Sequence, residues 1–114
     1  MAITYLKRGK SDAARASAKS MIEKDGAVMI TGGSSSGVAV AVQDLCQSAG
    51  VIFMAGLTHA NDTTGKDRKA NGFRHFFNAY MSAAALAPVL KNAYGSERRA
   101  YHLTADYNWG WTQQ

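Results

Sequence analysis

AVMITGGSSSGVAVAV, residues 27–42, decides the fold. Ala27 to Ile30 is a short apolar run without polar alternation, the pattern of a strand covered on both faces, as in a parallel sheet. Thr31 to Gly37 is a glycine- and serine-rich turn. From Val38 to Ala49 the apolar residues Val38, Val42, Leu45 and Ala49 share one helical face, and Gly50 stops the helix. A strand, a tight turn and a helix in that order are the opening half of a βαβ unit.

The same alternation continues outward on both sides. Upstream, Ser11 to Lys24 reads as a helix rich in alanine, with Ser11 or Asp12 as its cap and Asp25-Gly26 as its end. Downstream, Val51 to Met54 is a second buried-strand candidate, followed by Ala55-Gly56-Leu57-Thr58. His59 to Gly72 is polar and reads as an exposed loop. Tyr80 to Tyr94 is a third helix, closed by Gly95 and interrupted by Pro88, which should kink it or mark a late start. Ala100 to Ala105 reads as a third strand, and Tyr107 to Trp111 as an aromatic turn. Helix and strand alternate throughout, so the expected class is α/β: a partial, doubly wound parallel sheet with a Rossmann-like lobe architecture. Three strands are few for such a sheet, and the chain opens on a helix. The expectation is a single partial domain over residues 1–114, part of a larger protein.

Composition narrows the function. The 114 residues, 46% hydrophobic and 18% charged, suit one small domain with a packed core. No apolar run approaches the roughly 20 residues that a membrane helix needs. Nothing at Met1 resembles a secretion signal. The net charge is +5, but the basic residues are dispersed and no aromatic residue interleaves with the N-terminal group, which argues against a nucleic-acid surface. The single cysteine, Cys46, reads as a small apolar filler. His59, His75 and His102 have no metal-ligand spacing, and neither a metal nor another cofactor is expected.

In open α/β sheets, ligands sit at the carboxyl ends of the strands. The three loops there are residues 31–37, 55–58 and 106–111. The first combines a helix N-terminus with three serine hydroxyls, which suits a phosphate or carboxylate. The second offers the Thr58 hydroxyl beside Gly56, and the third a tyrosine and two tryptophans. No nucleophile has an evident base, so the pattern points to binding and not to turnover.

Ile30 to Gly37, ITGGSSSG, resembles the dinucleotide turn of the short-chain dehydrogenase/reductase family. The resemblance breaks at the spacing. Gly37 falls one residue late, Ala39 stands where the third glycine belongs, and no tyrosine in the chain has a lysine four residues on; an NAD(P)-binding reductase fragment with Thr31 to Gly37 at the cofactor stays as the alternative reading.

A broader resemblance runs from about Asp12 to Gln114. ARASAKSMIEKDGAVMITGGSSSGVAVAV (14–42), GVIFMAGLTHANDT (50–63), GFRHFFNAY (72–80) and YHLTADYNWGWTQ (101–113) together resemble the first lobe of type I periplasmic substrate-binding proteins. These serve ATP-binding-cassette importers for branched-chain amino acids and related amides. The resemblance implies a solute carboxylate held by Ser35, Ser36 and Gly37. It implies an ammonium group held at Gly56 and Thr58. It matches Asp106, Trp109 and Gly110 to an Asp-x-x-x-Gly element with an aromatic residue before the glycine, with Tyr107 beside it, and places the aromatic residue over the ligand. It further implies no enzymatic activity, a periplasmic location and a membrane permease as partner, with a first strand and second lobe absent from this chain. A sensory receptor domain of the same fold is the related alternative.

Overall fold

The computed structural model describes residues 10–113. Lys7 and Arg8 of the N-terminal basic group lie outside them. Helix α1 spans Ser11–Asp25. Its N-cap is Lys10, without a side-chain cap bond, so neither Ser11 nor Asp12 caps it; Asp12 sits in the first turn, where its charge suits the helix dipole. Gly26 closes the helix in the left-handed conformation, and the Ala27 N–H reaches back to the Met21 carbonyl. Strand β1 is Met29–Gly32, α2 is Ser36–Ser48 and β2 is Ile52–Ala55. A 3-10 turn at Asn61–Thr64 leads to the short strand β3, Gly72–Arg74. Helix α3 is Ala79–Tyr94 and contains Pro88; the one-turn helix α4 is Asn108–Trp111.

The sheet is parallel, in the order β1-β2-β3. Met29 lies opposite Ile52 and Gly32 opposite Ala55; Phe53 lies opposite Gly72 and Ala55 opposite Arg74. The expected α/β class with a parallel sheet is what the chain forms. The third strand is not where the apolar pattern placed it. Ala100 to Ala105 forms no strand, and Tyr101 and Leu103 stand almost fully exposed. The strand comes instead from Gly72–Arg74, at the end of the stretch read as an exposed loop. A strand needs a paired neighbour more than an apolar run, and β3 has one in β2.

Two helices cover one face of the sheet. Ala14, Ala18 and Met21 of α1 and Val38, Ala39, Val42 and Cys46 of α2 close over Ile30, Phe53 and Ala55. The alanines of α1 let the two helices approach closely, and Phe53 fills the centre with no exposure. The other face is open among the described residues. Met29 is 52% exposed and Ile52 44%, so β1 and β2 are not covered on both sides as their apolar runs suggested.

Candidate functional site

The loops after β1 and β2 and the turn carrying α4 meet at the carboxyl ends of the strands, and specific bonds hold them there. The Gly56 N–H donates to the Gly32 carbonyl at 2.8 Å. The Thr58 hydroxyl donates to the Gly33 carbonyl, and Thr58 is 0% exposed. Asn108 Nδ2 donates to Asp62 Oδ2 at 3.1 Å, which ties the third loop to the second. Gly33 is required where it stands: its φ is +76° and an added Cβ would lie 2.9 Å from that of Ala39. Gly110 is equally constrained, because a Cβ there would overlap the Ala105 carbonyl.

These loops enclose a cleft of about 170 Å³ lined by Ser34, Ser36, Leu57, His59, Tyr107 and Trp109. Ser36 is the first residue of α2, and Ser35 is its extended N-cap. The backbone N–H groups of a first helical turn have no partner within the helix, so this wall is suited to an oxygen acceptor. Tyr107 and Trp109 lie with their rings 6.2 Å apart and form the aromatic wall.

The residues singled out in the sequence divide into two groups. Ser36, Tyr107 and Trp109 line the cleft. Ser35 and Gly37 flank Ser36 at the helix start. Gly56 and Thr58 sit behind the lining, with the Gly56 amide and the Thr58 hydroxyl bonded to the first loop. The Thr58 carbonyl is also engaged, by Arg74 Nη1 at 2.6 Å. Asp106 accepts from Trp111 Nε1 at 3.1 Å and so orders its own turn.

Two contributors escaped the sequence reading. His59 enters the cleft wall, stacked on Phe77 at 4.5 Å and tilted against Phe76 at 5.1 Å. Arg74 holds the loop that carries it. Its guanidinium donates to the carbonyls on either side of His59, Thr58 at 2.6 Å and Ala60 at 2.7 Å, and to Thr64 Oγ1 at 3.0 Å. Burial pulls the guanidinium below its usual pKa, yet arginine stays charged in proteins. The signal was present in the sequence only as Phe73-Arg74 at the end of a polar stretch. Among the described residues, no cluster of histidine, cysteine and acidic side chains could hold a metal ion.

The sequence profile of the periplasmic binding protein family matches residues 7–114. No curated protein matches the chain. Among solved structures, the fold is similar to that of an ABC-transporter solute-binding protein from R. palustris, crystallised in complex with 4-hydroxybenzoate. The TM-score is 0.80 at 24% identity, over 91% of this chain and 27% of that one. The chain thus spans about a quarter of that protein's length. The profile match covers nearly every residue from the first helix to the aromatic turn, and on that ground the chain belongs to the periplasmic binding protein family.

Proposed function

We propose that this chain is part of the first lobe of a solute-binding protein, and that its cleft takes a small molecule with an oxygen-bearing head on an apolar body. The observation that carries the proposal is the cleft itself. Two serines at a helix start face two aromatic rings across about 170 Å³. The start of α2, with Ser35, Ser36 and Gly37, is suited to a carboxylate or amide oxygen. Tyr107 and Trp109 suit the apolar body. Amino acids, among them the branched-chain ones, and small amides fit this description. So does an aromatic acid such as the 4-hydroxybenzoate held by the R. palustris protein. An ammonium group is less well served here: the Thr58 hydroxyl is bonded to the Gly33 carbonyl and lies out of reach of the cleft.

In this reading the protein binds and releases its solute unchanged, works in the periplasm, and hands the solute to a membrane permease. The test is calorimetric titration of the intact protein with L-leucine, L-glutamine, acetamide and 4-hydroxybenzoate, repeated with Ser36→Ala. Binding of one of them, weakened by about tenfold in the variant, supports the reading. Binding of NADH or NADPH with no response to the four solutes would overturn it in favour of a reductase.

A further inference from the structure

We propose that the ring nitrogens of His59 and Trp109 form a polar pair that takes an oxygen acceptor of the solute, so that Trp109 reads the solute's head and does not merely cover its apolar body. The inference rests on the binding reading above. Its basis is a pair of unsatisfied atoms on residues of one cleft. Buried side-chain nitrogens and oxygens without a hydrogen-bond partner include His59 Nε2 and Trp109 Nε1, and both residues line the same cleft. Asn108 Oδ1, next to Trp109 in the chain, is a third. An orphaned buried polar atom is costly, so native structures retain few of them, and a cleft that holds two is a place where a ligand recovers that cost.

The chemistry of the two rings narrows what can satisfy them. An indole N–H is a donor only, so Trp109 requires an acceptor. An imidazole can donate or accept through either nitrogen. A half turn of the His59 ring about Cβ–Cγ exchanges Nε2 with Cε1 and keeps the ring plane parallel to Phe77. The side chain can therefore offer a nitrogen without giving up its stack. The cleft lining contains hydroxyls, rings and Leu57 but no carboxylate, so nothing in it competes as an acceptor of full negative charge. A carboxylate or amide oxygen of the solute meets all of these conditions. Arg74 is the positioning residue, because it bonds the carbonyls that bracket His59.

The experiment uses the intact protein, with L-leucine and 4-hydroxybenzoate as probes in calorimetric titrations. His59→Phe keeps an aromatic ring against Phe77 and removes both nitrogens. Trp109→Phe keeps an apolar face and removes the N–H. Each variant should weaken the probe that binds by about tenfold, while the thermal midpoint stays near that of the unaltered protein. His59→Gln, which restores a side-chain donor, should recover part of the loss. Affinity unchanged in Trp109→Phe but lost in Trp109→Ala would show that the ring is only an apolar cover, and would overturn the pair while leaving the cleft as the binding site. Failure of the unaltered protein to bind these two probes or L-glutamine or acetamide would overturn both the site and the pair.

Discussion

Replacing Thr58 with valine removes one hydrogen bond and almost nothing else. The two side chains have nearly the same shape, and Thr58 is 0% exposed, so packing volume is kept while the hydroxyl is lost. The Gly33 carbonyl then loses its donor in a buried loop. Leaving such a group unpaired costs about 1–3 kcal/mol. Urea unfolding of the intact protein is the assay: the midpoint should fall while the slope stays constant. Thr58→Ser is the control. It keeps the donor and loses only a methyl group, a change that costs about 0.5–1.5 kcal/mol in cores. Thr58→Val should therefore be the more damaging of the two. If instead Thr58→Val unfolds at the same urea concentration as the unaltered protein and only loses affinity, the hydroxyl faces the solute and the argument from the Gly33 bond is wrong.

Two further outcomes follow from the same kind of reasoning. Gly33→Ala forces a side chain into a left-handed backbone 2.9 Å from the Ala39 Cβ, so it should destabilise by about 1–3 kcal/mol and displace the start of α2; urea unfolding checks the first and loss of solute affinity the second. Cys46 is buried, and burial pushes its thiol up to about 11 from 9.0. Its thiolate is thus favoured in the unfolded chain, and stability should be unaffected below pH 9 and fall as pH rises from 9 towards 11; alkylation by iodoacetamide at pH 8 should proceed only after denaturation.

What was legible in the sequence was the part governed by local pattern. The βαβ core from α1 to β2 follows from apolar runs, glycine stops and a helix-length stretch between them, and its elements lie within two residues of where those signals put them. Strand β3 was not legible, because Gly72-Phe73-Arg74 is too short and too polar to carry a strand signal. It exists because β2 offers an edge and because Arg74 secures the preceding loop through three acceptors. The reverse error at Ala100 to Ala105 shows the same limit of local pattern: the run forms no strand, and Ala100 to Leu103 are exposed. Ser36 could be placed at the cleft because the loops after parallel strands gather at one end of the sheet; Tyr107 and Trp109 reach the same cleft although the strand expected before them does not form. His59 could not, since its place in the wall depends on stacking with Phe77, eighteen residues on.

Helix α3 has a consequence for any measurement of stability. Only Ala79 in it is buried, while Leu86, Val89, Leu90 and Tyr94 are exposed. Its backbone fastenings to the loop after β2 are at the base, the Ala79 N–H to the His59 carbonyl and the Tyr80 N–H to Asn61 Oδ1, while Asn78 caps the helix's own first turn. The upper turns can therefore open without disturbing Phe53 or the sheet. Amide exchange should separate the two regions, with residues 83–94 exchanging through local fraying and the amides of β2 only through global unfolding. The part of the helicity signal that comes from α3 and a probe of the sheet would then melt apart, and a single midpoint would not describe both.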